Sequence, residues 1–259
     1  FSAPGRTEIG GNHTDHQHGC IVAASVDLDI GAAAEANGEQ RIRVLSEGSP
    51  MTEVDLTDLS VRETEYNQTS ALIRGVAAGM KERGYNIGGF DAYLTSNVLQ
   101  GSGLSSSAAF EVMIGTILNH LFNDGAIDPI VIAQIGQYAE NVYFGKPCGL
   151  MDQAASAMGG ICMMDFADEK SPVVTPVPFS FAETGYKLCL VNVGGDHADL
   201  THLYAAIPQR MKKVANLCDK YGVAMAIHMA ESPIACMAAI HTAAAIQNVL
   251  AVEFHSVDV

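Results

Sequence analysis

Residues 101–109 read GSGLSSSAA and lie inside a stretch, residues 85–144, that holds no Lys or Arg. Before them, residues 90–98 have strand-like composition. After them, Phe110, Ile114, Ile117, Leu118 and Leu121 recur at helical spacing. Strand, Gly/Ser loop and helix in that order constrain the chain more than any other feature. Glycines let backbone N–H groups approach a ligand, and a helix starting near Ser105 places about half a positive charge and free amide donors at the loop. Three consecutive serines add hydroxyl groups. An anion can therefore be held here without a basic side chain. No Lys follows the last glycine, so the loop is not a Walker loop, and the GxGxxG spacing is absent too. A nucleoside triphosphate at this loop needs another counter-charge, which Mg²⁺ ordinarily supplies. Ser107 offers a hydroxyl ligand and Glu140, on the following helical segment, a carboxylate.

The rest of the composition narrows the partners. Fourteen Lys and Arg stand against 29 Asp and Glu in 259 residues, a formal charge of -15. Such an excess argues against nucleic acid and against an anionic membrane surface. With 48% apolar and 17% charged residues the chain can fill a core, either as one large domain or as two small ones. Six cysteines occur without a CxxC pair, and neither a leader peptide nor a long apolar span is visible. These features lead to the expectation of a cytoplasmic protein. The chain begins at Phe1, not Met, and is expected to be a piece of a longer protein, truncated at both ends.

Periodicity predicts strands over residues 21–36, 41–45, 90–98, 161–166 and 187–193. It predicts helices over residues 69–83, from about 105, over 129–144, a short one carrying Met151 and Asp152, and one over 199–221. The short helix is expected to close on Gly159 and Gly160 with a left-handed glycine cap. Residues 168–182 hold Pro172, Pro176 and Pro178 and read as a domain boundary. Residues 224–259 carry no motif that we recognise.

Three blocks together carry a family resemblance. Residues 3–19, APGRTEIGGNHTDHQHG, resemble the galactokinase signature PGRVNLIGEHTDYNGG. Residues 101–112, GSGLSSSAAFEV, resemble the phosphate-binding motif of the GHMP kinases. Residues 148–153, CGLMDQ, resemble the galactokinase stretch with the catalytic aspartate. The resemblance extends to about Val214. It implies an α+β GHMP kinase fold, with an N-terminal mixed-sheet lobe like domain 2 of ribosomal protein S5 over residues 1–170 and an incomplete C-terminal α+β lobe over residues 183–259. It implies phosphorylation of galactose at its 1-hydroxyl by ATP with Mg²⁺, with Arg6 and Asp152 as the catalytic pair.

By the same resemblance the sugar pocket comprises Asn12, His13, Thr14, Asp15, Gly149 and Tyr204. ATP is expected at Gly101, Ser102, Gly103, Leu104, Ser105, Ser106 and Ser107, with Ser46 near the nucleotide, and Mg²⁺ at Ser107 and Glu140. Galactose and ATP are then the partners, and the oligomeric state stays open. Two departures stand out. Asn12 replaces a glutamate, keeping an acceptor oxygen but losing a charge, and Thr7-Glu8 replaces Val-Asn. The family's third, glycine-rich motif has no counterpart after Tyr221. Alternatives are a non-catalytic sensor of galactose and ATP, an inactive fragment, and a kinase of N-acetylgalactosamine. A metal-dependent hydrolase built from His13, Asp15, His16 and His18 with Asp196, His197 and His202 is a further reading, disfavoured because residues so close in one loop cannot all face one ion.

Overall fold

In a computed structural model, the described residues are 1–11, 13–98, 103–168, 171–185, 188, 213, 216–223, 225–227 and 249–252. The strands are β1 (Ser2–Gly10), β2 (Cys20–Ala36), β3 (Arg41–Ser46), β4 (Thr52–Asp55), β5 (Phe90–Ser96), β6 (Ile161–Asp165) and β7 (Val173–Pro176). They form one mixed sheet in the order β4-β3-β5-β2-β6-β7, with β1 also paired to β2. Within this sheet only β3 and β5 run parallel among the described residues. The centre of the sheet is the 17-residue β2. Its first residues, Cys20 to Ala24, pair with β6, its last, Ile30 to Ala36, with β5, and its middle with β1.

The helices are α1 (Thr69–Glu82), α2 (Ser106–Phe122), α3 (Pro129–Tyr138), α4 (Met151–Met158) and the short α5 (Phe181–Thr184). In β5, alternation puts Phe90, Ala92 and Leu94 inward and leaves Tyr93 outward. These residues join Ile73, Val76 and Met80 of α1 and Met113, Ile114 and Ile117 of α2 in the main core. A smaller cluster packs Leu150, Met151 and Ala154 of α4 on Ile21, Cys162 and Met164. The helical layer thus clamps the strand that carries position 6 to the helix that carries position 152.

Several expectations are refined. The helix expected over residues 129–144 is α3 followed by a π-helical turn, Ala139–Phe144. Asp128 caps α3 by accepting from the Ile130 N–H at 2.8 Å, and proline at its first position suits the fixed φ. The proline-rich segment read as a boundary contains β7, the edge strand on β6, so the sheet runs past residue 170 to Pro176. Prolines are tolerated there because an edge strand leaves some N–H positions unpaired. Gly159 takes φ 69°, ψ 167°. This is a glycine-only region but not the left-handed cap expected.

Of the expected strand at 187–193 and helix at 199–221, only residues 188, 213 and 216–221 are described, and residues 216–220 are helical. In the motif-poor tail, β8 (Met225–Ile227) and β9 (Val249–Val252) pair in parallel. Among the described residues no helix is long and apolar enough to cross a membrane.

Candidate active site

Arg6 emerges from β1 with its backbone N–H on the carbonyl of Leu104, at 3.1 Å, which ties the strand to the Gly/Ser loop. Its guanidinium is buried. Nε and one terminal nitrogen donate to the two oxygens of Asp152 at 2.6 and 2.8 Å, and the other terminal nitrogen donates to the carbonyl of Gly103 at 2.7 Å. Among the described residues, three of the five guanidinium N–H donors are engaged and two remain. The Ser105 hydroxyl also donates to Asp152. Burial drives the Asp152 carboxyl upward, but the hydrogen bonds and charge of Arg6, with Ser105, outweigh it and hold the group below the usual carboxylate range.

Ser105 occupies the cap position before α2 with φ 56° and ψ 58°. A non-glycine residue in the left-handed region costs about 1–2 kcal/mol, so the hydroxyl is placed on Asp152 at the expense of local strain.

Behind this pair lies the network around Glu140. Ser107 Oγ, in the first turn of α2, donates to Glu140 Oε1 at 3.0 Å, and the Lys146 ammonium sits on the same oxygen at 3.1 Å. Both Glu140 and its neighbour Glu111 are buried. The π turn brings Glu140 into this position: one residue of extra winding redirects the side chains, a device common at functional sites. Gln153 donates through Nε2 to Glu140 Oε2 and to Glu111 Oε2, each at 2.9 Å. Burial first, and then the charge of Glu140, push the Glu111 carboxyl well above the usual carboxylate range. A hydroxyl and a carboxylate around a position that an ammonium already satisfies electrostatically are hard oxygen donors of the kind Mg²⁺ takes, alongside phosphate oxygens. The residues present fit that ion.

On the sugar side, Asp15 is buried and accepts from the Met151 N–H at 2.9 Å, at the start of α4. Gly149 makes that approach possible, since a Cβ there would stand 1.9 Å from Asp15 Oδ2. Thr14 is buried and its carbonyl accepts from the Gly19 N–H at 2.9 Å. His13, at φ 52°, presents a largely exposed ring. Glu8, which the sequence left without a role, accepts from the His13 N–H at 3.2 Å and lies 3.4 Å from its Nε2. Glu8 and Arg6 are two apart on β1 and share a face, a periodicity signal that was available in the sequence.

Arg6, Gly103, Leu104, Ser105 and Asp152 therefore converge, and Ser107 meets Glu140. Ser106 opens α2 between these two groups. Ser46 ends β3 opposite Leu94, with no hydrogen bond to the Arg6–Asp152 pair among the described residues. Asn12, Gly101, Ser102 and Tyr204 lie outside the described residues, as do Asp196, His197 and His202. Among the described residues no three His, Cys, Asp or Glu side chains gather as a metal site.

Residues 1–36 match the galactokinase galactose-binding signature and residues 71–160 the GHMP kinases N terminal domain, while residues 204–259 match a different family, enolase C-terminal domain-like. A galactokinase of Clostridium tetani (strain Massachusetts / E88) is 31% identical over 160 residues, 61% of this chain and 40% of that protein. The crystal structure of Lactococcus lactis galactokinase complexed with galactose superposes with a TM-score of 0.62 at 28% identity, covering 68% of this chain and 46% of that one. Methanococcus jannaschii mevalonate kinase, at 14% identity and TM-score 0.57 over 71% of this chain and 56% of its own, shares the fold. The chain thus spans about half or less of the galactokinase relatives it matches. Over residues 1–36 and 71–160 the chain is thus similar to the galactose-binding signature of galactokinases and to the N-terminal domain of GHMP kinases, on a fold that it shares with a galactokinase.

Proposed function

We propose that this site phosphorylates galactose at its 1-hydroxyl with ATP, giving galactose 1-phosphate and ADP, the first step of galactose use in the cytoplasm. One observation carries the reading: Arg6 links the Asp152 carboxylate to the Gly103 carbonyl of the phosphate loop, so a sugar hydroxyl acceptor and an anion cradle share one guanidinium. Asp15, Thr14, His13, Gly149, Asn12 and Tyr204 bind the sugar in this reading. The loop at residues 101–107 cradles the phosphates through N–H groups and hydroxyls, with Ser46 toward the nucleotide.

Asp152 is ionised at neutral pH and its affinity for protons is lowered. It first accepts a hydrogen bond from the 1-hydroxyl and orients it. The proton passes to the carboxylate as the oxygen–phosphorus bond forms and that oxygen loses basicity, while the bond to ADP breaks. The two remaining N–H groups of Arg6 face the transferred phosphoryl and stabilise charge on its oxygens. Mg²⁺, held by Ser107 and Glu140, would neutralise further charge on the phosphate oxygens when bound.

The test is ADP release from ATP in the presence of galactose. Arg6→Ala and Asp152→Ala are each expected to lower turnover at least about a hundredfold. Near-normal turnover in either variant refutes the assignment, and N-acetylgalactosamine in a parallel assay decides the sugar. A second reading, binding of galactose and ATP without turnover, is favoured by the match of residues 204–259 to a family other than the GHMP kinases. It predicts galactose and nucleotide binding with no galactose-dependent ADP.

A further inference from the structure

We propose that Gln153 is a positioning residue that sets the orientation of the cation-ligating Glu140 by clamping it, through one amide nitrogen, to the buried Glu111. The inference rests on the kinase reading above and deepens it. Three observations carry it. First, both hydrogens of the Gln153 amide are committed: Nε2 lies 2.9 Å from Glu111 Oε2 and 2.9 Å from Glu140 Oε2, with the Cys148 sulfur farther off at 3.7 Å. Gln153 is fully buried, so no water competes for them.

Second, the clamp leaves Glu140 with one oxygen for each task. Oε2 is taken from behind, and Oε1 is turned to Ser107 Oγ and the Lys146 ammonium, on the side where a cation would sit. A carboxylate free to rotate would present that oxygen only part of the time. Third, the interior holds more polar atoms than it satisfies. Glu111 Oε1 and Gln153 Oε1 are buried without a hydrogen-bond partner among the described residues. A core built for stability alone avoids such atoms, since each costs about 1–3 kcal/mol. Packing is tight as well. A Cβ on Gly136 of α3 would come within 3.1 Å of both the Gln153 Cγ and the Glu111 Cβ, so the glycine lets the backbone of α3 pack directly on both side chains.

The placement also couples the two halves of the site. Asp152 and Gln153 are adjacent in the first turn of α4, one facing Arg6 and the other Glu140. A single rigid helix end therefore holds the sugar-side carboxylate and the cation ligand in register. Partners behind a metal ligand are generally worth 10–100-fold in metal affinity.

The test uses the full chain, with Mn²⁺ as a paramagnetic substitute for Mg²⁺, in the presence of a non-hydrolysable ATP analogue. Free Mn²⁺ is read by electron paramagnetic resonance, and galactose affinity is measured separately by calorimetry. Gln153→Met, which keeps the volume and removes the amide, is expected to weaken Mn²⁺ binding at least tenfold while galactose affinity stays within threefold. Gln153→Asn, too short to reach both carboxylates, is expected to do the same and serves if the Met variant fails to fold. Glu111→Gln keeps an acceptor for the clamp and is expected to stay within threefold of the unsubstituted protein for both ligands. Unchanged Mn²⁺ affinity in the folded Gln153 variants overturns the inference and leaves the kinase reading standing. Mn²⁺ and galactose affinities falling together show a merely structural residue and also overturn it. Absence of nucleotide-dependent Mn²⁺ binding by the unsubstituted chain overturns the kinase reading, and this inference with it.

Discussion

Gly149 offers a sharp test of how the sugar side is assembled. Its φ is not in the left-handed region, so the backbone accepts alanine without strain. The obstacle is a contact: the added methyl would lie 1.9 Å from Asp15 Oδ2 and 2.3 Å from its Cγ, where ordinary contact begins near 3.4 Å. Asp15 must retreat by more than 1 Å, and its 2.9 Å hydrogen bond from the Met151 N–H breaks. Asp15 is only 6% exposed, so water does not readily replace that bond. A hydrogen bond to a charged group contributes about 1.5–3 kcal/mol, and unsatisfied partners add to its loss. Gly149→Ala is therefore expected to cost about 2–4 kcal/mol in urea unfolding of the N-terminal unit and to weaken galactose binding in calorimetry.

Asp15→Ala alone removes the same hydrogen bond. In the double variant the methyl at 149 enters space that the carboxylate vacated, so the double variant should be no less stable than Asp15→Ala by itself. The coupling energy is then about 2–4 kcal/mol, the whole cost of Gly149→Ala by itself. Additive losses, within about 0.5 kcal/mol, would show that Gly149 matters for another reason and refute the contact argument.

Two further outcomes follow from the buried carboxylates and the strained cap. The Glu111 carboxyl holds its proton more tightly in the folded chain than in the unfolded one, so the unfolded state binds fewer protons above about pH 4.5. Stability should thus fall as pH rises above that value, by up to about 1.4 kcal/mol per pH unit until the folded-state carboxyl itself ionises. Glu111→Gln, unfolded in a chelator across pH 4–8, should lose this slope and gain on the parent as pH rises; identical pH profiles would contradict the upward shift of Glu111. At Ser105, alanine keeps the left-handed strain and loses the hydroxyl on Asp152, whereas glycine loses the hydroxyl but relieves about 1 kcal/mol of strain. Thermal unfolding should rank Ser105→Gly above Ser105→Ala, and the reverse order would remove the strain argument.

Much of the frame was legible because local chemistry writes it. Helix α1 was read within one residue of its end from Leu72, Val76 and Met80 with Gly84 beyond, and α2 within one residue of its start from the apolar spacing after Ser107. The π turn was not legible, since 3.6-residue periodicity continues through residues 129–144 and the extra residue of winding answers to Glu140 meeting Ser107, a tertiary contact. Strand β7 was hidden by Pro172, Pro176 and Pro178, which a turn and a sheet edge use equally well. Glu111 and Gln153 sit inside motifs that had been quoted, yet each reads as an ordinary helix residue until the other is placed beside it.

By itself the sequence determined which chemistry is available: an anion loop without lysine, one arginine and one aspartate in recognisable settings, and an acidic surface unsuited to nucleic acid. Those properties reside in residue types over short windows, where backbone freedom and charge act locally. Only the tertiary structure decided how the charges pair. Arg6 and Asp152 are 146 residues apart and Glu111 and Gln153 are 42 apart, so which carboxylate loses its proton more easily against a guanidinium and which holds it more tightly depends on burial and distance after folding. Four carboxylates, Asp15, Glu111, Glu140 and Asp152, look alike in the sequence. Packing gave each a different neighbour, and with it a different task.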